Sequence, residues 1–235
     1  MTERLQKILS TYGIASRRAA EKLLREGRIT VNGLPAVLGQ SADPETDDIR
    51  VDGSPLPKKA ETVCIMLYKP RGYVTTLSDE LGRRTAASLV NCGCRVYPVG
   101  RLDCASEGLL LFTNDGDLAN RLMHPSHAVE KVYEVTVAGA LDTAQERLAR
   151  PIVLDGRKIA PPKVVLLRQS EKKATYEITI HEGRNRQIRR MCEAAGLSVL
   201  RLCRVREGSL SLGDLPVGKW RYLTKEEYKA LEGKK

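Results

Sequence analysis

Seven apolar, β-prone runs crowd the stretch from residue 63 to 205: VCIMLYK, RVYPVG, GLLLFT, YEVTVAG, KVVLLRQ, ATYEITI and LSVLRLCRV. Runs rich in Val, Ile, Leu and Tyr, bounded by Gly, Pro and polar clusters, read as strands. Only four segments carry helical spacing, TAASLV, DLANRLM, TAQERLA and RQIRRMCEAAG. Strands outnumber helices and several follow one another directly, which disfavours a doubly wound parallel sheet. The pattern predicts an α+β domain over residues 62–235, built on a mixed, mostly antiparallel sheet with flanking helices.

The first 53 residues are different in kind. Leu5, Ile8, Leu9 and Tyr12 fall at i, i+3, i+4 and i+7, the apolar stripe of a helix over residues 3–12 that ends at Gly13. A second helix is expected to start after Ser16, an N-cap residue, and to stop at Gly27. On it Ala20, Leu23 and Leu24 share one face, while Arg18, Lys22 and Arg25 share the opposite one. ITVNGLPA then reads as a hairpin around Asn32-Gly33, and DPETDDIRVDG as an acidic turn with a short strand. The stretch centred on ASRRAAEKLLREGRITVNG resembles the S4-like RNA-binding domain. That resemblance implies that structured RNA is bound through the second helix, by Arg17, Arg18, Lys22 and Arg25. SPLPKKAE, residues 54–61, holds two prolines and two lysines and is read as a linker between domains 1–53 and 62–235.

A formal charge of +10 and a pI near 9.4 predict a polyanionic partner, because excess Lys and Arg attract phosphates without sequence information. No apolar run approaches the roughly 20 residues of a membrane span. MTERLQKILS lacks the apolar centre of a signal peptide, so a cytoplasmic protein with no membrane partner is expected. The six cysteines show no repeated CxxC spacing and are read as reduced thiols with no metal. Neither a Walker A loop nor a GxGxxG occurs, so triphosphate and dinucleotide chemistry have no support. With one Phe, one Trp and eight Tyr, the chain lacks the aromatic interleaving of a binder that stacks many bases.

Within the larger domain, GRLDCASEGLLLFTNDG joins a polar loop holding Arg101, Asp103, Ser106 and Glu107 to an apolar strand. Alone, such an Asp is a turn former. EKVYEVTV sets Tyr133 in a strand, where a tyrosine is ordinarily packing. Between His181 and Arg206 stand seven arginines, two glutamates and no lysine. That bias suits bidentate pairing with phosphate or carboxylate, and a guanidinium beside a carboxylate favours its charged, nucleophilic form.

Together GRLDCASEGLLLFTNDG, LMHPSHAVEKVYEV and EGRNRQIRRM closely resemble, in order and over nearly the whole chain, the motifs of rRNA pseudouridine synthases with an S4-like N-terminal domain. The resemblance implies isomerisation of one rRNA uridine, without cofactor, with uracil detached from C1′ and rejoined through C5. It assigns Asp103 as the catalytic aspartate, acting as nucleophile or as base on the ribose. Tyr133 would stack on uracil and assist at C5, Arg189 would pair with Asp103, and Leu202 would close the apolar side of the base pocket. Further substrate contacts are expected from Arg101 and from Arg184, Asn185, Arg186, Gln187 and Arg190 around the helix start in EGRNRQIRRM. Phe112 departs from the family's usual leucine, Cys104 has no assigned role, and the scattered His124, His127 and His181 are not needed by the reaction.

NDGDLANRLMHPSHAVEKVYEV is closer to the branch acting on large-subunit 23S rRNA than to that acting on small-subunit 16S rRNA. A non-catalytic rRNA-binding assembly factor is the competing class. A hydrolase using Ser106 or Asp103 with a histidine finds no GxSxG elbow. A monomer is expected.

Overall fold

The structure is a computed structural model and describes residues 1–233. Its contacts separate two compact units. The first holds Met1–Val63 with Cys92–Val96 and Asn114–Gly116, and the second holds most of the rest.

The first unit comprises β1 (Glu3–Arg4), α1 (Leu5–Thr11), α2 (Arg17–Arg25), β2 (Ile29–Val31), β3 (Leu34–Pro35), β4 (Ser41–Ala42), β5 (Ile49–Val51) and β6 (Ser54–Pro55). The sequence expected helix from residue 3, but Glu3 and Arg4 pair instead with Ala42 and Ser41. Ser16 caps α2, its side chain accepting from the Ala19 amide at 3.1 Å. Asn32 and Gly33, with φ of 51° and 78°, form the tight turn that joins β2 to β3, in which both central residues must be left-handed. The sheet runs β3-β2-β5-β6, so Ser54 and Pro55 belong to it, and the connecting segment expected at 54–61 begins two residues later. Leu5, Ile8, Leu9, Ala20, Leu24, Ile29 and Ile49 form the core. At roughly 1.5–3 kcal/mol for each large aliphatic side chain buried, this cluster is what holds so small a unit together. The opposite face of α2 leaves Arg18, Lys22 and Arg25 exposed, as the spacing predicted, and Arg17 is exposed as well.

In the second unit β7 (Cys64–Lys69), β8 (Tyr97–Val99), β9 (Glu107–Thr113), α3 (Gly116–Met123) and β10 (Lys131–Gly139) come first. They are followed by α4 (Ala144–Leu148), the hairpin β11 (Ile152–Leu154) and β12 (Arg157–Ile159), β13 (Lys163–Gln169), β14 (Ala174–Ile180) and α5 (Gln187–Ala194). The last elements are β15 (Leu197–Glu207), β16 (Leu210–Ser211), β17 (Trp220–Tyr222) and α6 (Lys225–Glu232). All seven expected strand runs form. TAASLV makes only a single 3-10 turn, Ala86–Leu89.

The nine-stranded sheet has the spine β13-β14-β10-β15-β9-β7-β17, with β16 on β15 and β8 on β9. Every pairing is antiparallel except β15 with β9, so the fold is α+β on a mixed, mostly antiparallel sheet. Leu109, Leu110, Leu111 and Phe112 are all fully buried, so β9 is covered on both faces. That is why it reads as a continuous apolar run and not an alternating one. On one face Leu109 and Leu111 join Met66, Leu118, Leu122, Cys203 and Leu231 in a core. Where β9 meets β15, Gly108 lies opposite Arg204. A Cβ there would fall 2.2 Å from the Arg204 carbonyl oxygen, and φ is +109°, so only glycine permits the parallel contact. This contact puts the loop preceding β9 beside the inward face of β15.

Among the described residues no helix is long and apolar enough to cross a membrane. The cysteines form no disulfide there, and no group of three or more His, Cys, Asp and Glu has metal-binding geometry.

Candidate active site

Asp103 stands on the loop between β8 and β9, and that loop is fixed by buried side chains from elsewhere. Lys69, at the end of β7, is fully buried. Its Nζ donates to the carbonyls of Pro70 at 3.0 Å, Asp103 at 3.1 Å and Ser106 at 2.7 Å. Burial pushes the Lys69 ammonium down to about 8. Thr75 adds a second clasp, its hydroxyl donating to the Leu102 carbonyl at 2.7 Å and accepting from the Leu102 amide at 3.2 Å. The backbone of the loop is thereby immobilised while the Asp103 side chain stays one-third exposed (33%). Neither Lys69 nor Thr75 was singled out from sequence. A lysine ending an otherwise apolar strand was the available signal for the first.

Two guanidiniums from the start of α5 face this carboxylate. Arg186 Nη1 lies 3.7 Å and Arg189 Nε 3.9 Å from Asp103 Oδ2. The expected Arg189 pairing is therefore an electrostatic approach without a hydrogen bond. Arg189 Nη2 is committed to the Ala105 carbonyl at 2.9 Å and the Ser106 hydroxyl at 3.2 Å, while its buried Nε has no hydrogen-bond partner among the described residues. Burial and the neighbouring Arg186 both push the Arg189 guanidinium down. Arg186 is the nearer cation and was expected only as a substrate contact. It caps α5 with φ at +50°, a left-handed conformation that costs a non-glycine residue about 1–3 kcal/mol and that clusters at working sites.

The floor of the cleft comes from the sheet. Tyr133 on β10 and Leu202 on β15 are 7% and 6% exposed, and both line the same cleft as Asp103. Burial pushes the Tyr133 phenol up, against the pull of Arg204 directly across the strand pair. Arg204 is itself 2% exposed, its Nε donating to the Leu109 carbonyl at 2.8 Å and its Nη2 lying 3.2 Å from Glu207 Oε2. Burial opposes its charge, but Glu207 and Tyr133 outweigh that and hold its pKa up.

Arg101, Arg184, Arg186 and Gln187 also line the cleft. Gln187 is nearly buried, with its Oε1 accepting from the Arg184 amide at 3.1 Å, so it shapes the loop before α5. Asn185 and Arg190 do not line the cleft. Asn185 is exposed, and Arg190 makes a two-pronged pair with Asp155 of the β11–β12 turn at 3.0 and 3.1 Å. Arg190 is spent on fastening that hairpin to α5. His127 and His181 also lie outside the cleft lining, as does His124. In the first unit, Lys22 and Arg25 sit 3.7 and 3.8 Å from Glu26 and Glu21. Such exposed i,i+4 pairs are worth about 0.5 kcal/mol or less, so they leave both cations available to a phosphate.

The resulting arrangement is a reachable carboxylate on a rigid loop, two guanidiniums within 4 Å that do not hydrogen-bond it, and an apolar floor with one phenol. Such a floor favours a flat, uncharged ring, and a carboxylate placed beside it can act as a nucleophile or as a base.

Comparison with known proteins bears on which ring this is. A family model described as RNA pseudouridylate synthase matches residues 63–194, and one described as S4 domain matches residues 3–37. The chain is 44% identical to the ribosomal large subunit pseudouridine synthase B of Bacillus subtilis, over 97% of this chain and 95% of that protein. It is 43% identical to the protein of the same name from Vibrio cholerae, over 94% of this chain and 71% of that protein. A solved pseudouridylate synthase structure superimposes with a TM-score of 0.69 at 29% identity, covering 97% of this chain and 99% of that one.

Proposed function

The chain belongs to the RNA pseudouridylate synthase family and carries an S4 domain, and we propose that it converts one uridine of large-subunit ribosomal RNA to pseudouridine with Asp103 as the catalytic residue. The observation that carries this reading is the Asp103 carboxylate, partly exposed beside a cleft floored by Tyr133 and Leu202, with both facing guanidiniums near it but not hydrogen-bonded to it. A structural carboxylate would be consumed by those hydrogen bonds.

In the proposed reaction the N1–C1′ bond breaks, the uracil turns, and C5 bonds to C1′. The proton on C5 leaves and N1 ends protonated, so the conversion is redox-neutral and needs no metal or organic cofactor. Asp103 either bonds to C1′ as a nucleophile or removes a ribose proton. Arg186 and Arg189 keep its charge directed into the cleft. Tyr133 stacks on the ring and assists proton transfer at C5, and Leu202 closes the apolar side of the base pocket. Reaching a stacked base requires extruding the nucleotide, at a cost of a few kcal/mol. Arg101, Arg184 and Arg186 on phosphates at the cleft, with Arg17, Arg18, Lys22 and Arg25 of a domain spanning residues 1–53, supply the compensating contacts. The working form is a cytoplasmic monomer acting on RNA. Its two domains, 1–53 and 62–235, divide anchoring from chemistry.

The test is Asp103→Asn assayed with purified protein on large-subunit rRNA. Turnover should vanish while RNA affinity stays within several fold of wild type. A variant that still forms pseudouridine rules out Asp103 as the catalytic group. A wild type that binds rRNA yet modifies no uridine in either subunit's RNA favours a pure assembly factor.

A further inference from the structure

A second cavity, of about 520 Å³, adjoins the Asp103 cleft and shares Arg101, Tyr133 and Gly183 with it. The chemistry proposed above uses little of it. Its floor is a square of polar side chains set by the register of β10 and β15, with Lys131 opposite Glu207 and Tyr133 opposite Arg204. Lys131 Nζ lies 3.9 Å from Glu207 Oε1. Glu207 Oε2 and Arg204 Nη2 are buried and face each other at 3.2 Å as an ion pair that is not aligned as a hydrogen bond. A bound group that donates to Glu207 or accepts from Arg204 would complete the hydrogen bonding of this pair. The rim is made by the exposed Met123, His124 and Pro125.

We propose that this cavity is a subsite for the nucleotide that flanks the target uridine on the same RNA strand. The proposal rests on reading the chain as a uridine isomerase and extends it from one nucleotide to two. Extruding a uridine unstacks its neighbour, and contacts to flanking nucleotides are a general means by which enzymes acting on extruded bases choose their sites. The volume falls within the range of about 300–1,000 Å³ in which small organic ligands are held. Donors at Lys131 and Arg204 alternate with an acceptor at Glu207, which matches the mixed donors and acceptors of a base edge. Arg101 belongs to both pockets and lies where the phosphate joining the two nucleotides passes. The flat His124 ring and the apolar Pro125 ring at the rim offer surfaces to the base.

The test uses an rRNA hairpin carrying the uridine the protein converts, together with two versions in which the nucleotide before or after that uridine is abasic. With wild type, one abasic RNA should lose about tenfold in kcat/KM, equivalent to about 1.4 kcal/mol. Met123→Trp, which fills the cavity from an exposed rim position, should lose a similar factor on intact RNA and become indifferent to that abasic site. His124→Ala, a change confined to the rim loop, should show a smaller loss of the same kind. Equal turnover of all three RNAs by wild type overturns the subsite, as does a Met123→Trp protein that keeps the full abasic penalty. If Met123→Trp abolishes turnover of every RNA alike, the cavity takes the target uracil itself and the proposal is wrong. A wild type that forms no pseudouridine in any hairpin fails the functional reading first, and the subsite falls with it.

Discussion

Lys69→Met probes how the Asp103 carboxylate is positioned without touching it. The ammonium of Lys69 holds three carbonyls, of Pro70, Asp103 and Ser106, that bracket the turn carrying Asp103. A thioether leaves all three without this donor, at about 1–3 kcal/mol for each buried acceptor. Against this, methionine relieves the cost of burying a cation. The fall from 10.5 to about 8 corresponds to about 3 kcal/mol at 1.36 kcal/mol per pH unit. With the carbonyl loss taken at its midpoint of about 6 kcal/mol, the net destabilisation is about 3 kcal/mol, or a fall in Tm of about 6–12 °C for a chain of this size. Turnover should suffer more than stability. A displacement of about 1 Å in a reacting group costs on the order of a hundredfold in rate, and the Asp103 backbone is what Lys69 restrains. RNA affinity should stay within several fold, because the cationic surfaces are unaltered. Scanning calorimetry, single-turnover kinetics and filter binding on the same preparation separate the three effects. A variant with wild-type single-turnover rate would refute the argument, leaving Thr75 and Arg189 sufficient to hold the loop.

The same lysine makes a pH prediction. Its folded pKa lies below its unfolded one, so the penalty for burying the charge is present in full below about pH 8 and relieved as pH rises to 10.5. Wild-type stability should therefore gain on Lys69→Met across that window, and denaturant midpoints that stay parallel would contradict it. Gly108→Ala should destabilise the second unit by about 4 kcal/mol, because its Cβ meets the Arg204 carbonyl at 2.2 Å and its φ is +109°; an unchanged urea midpoint would contradict the close approach. Replacing Arg17, Arg18, Lys22 and Arg25 together by glutamine should lower the slope of log K against log salt by about 0.7–0.9 for each phosphate no longer neutralised. An unaltered slope would mean that this face of α2 is not the RNA anchor.

What sequence disclosed and what it hid follow one physical divide. Strands buried on both faces, such as Leu109–Phe112, announce themselves because their burial leaves no polar residue to interrupt the run. The cleft was legible because Asp103, Tyr133 and the α5 arginines sit in long, ordered motifs. The positioning of that cleft was not. Lys69 and Arg204 are cations buried by tertiary pairing, and single-residue propensity assigns such side chains to the surface. Arg190 looked like its neighbours in the arginine cluster, and only the β11–β12 turn, which brings Asp155 to it, distinguishes it. Of the C-terminal elements, Trp220–Tyr222 is too short for alternation to show, whereas α6 carries a readable capping box, in which Thr224 and Glu227 satisfy each other's backbone amides, that apolar periodicity alone does not reveal.

The central claim is that this protein makes pseudouridine at one position in large-subunit rRNA. Its most direct test is a pseudouridine map of rRNA, by carbodiimide labelling and primer extension, from cells with and without the gene, followed by restoration with purified protein. Loss of a single large-subunit site in the deletion, regained with wild type and not with Asp103→Asn, is the predicted result. An unchanged map, together with a purified protein that modifies no uridine in rRNA from the deletion strain, would contradict it.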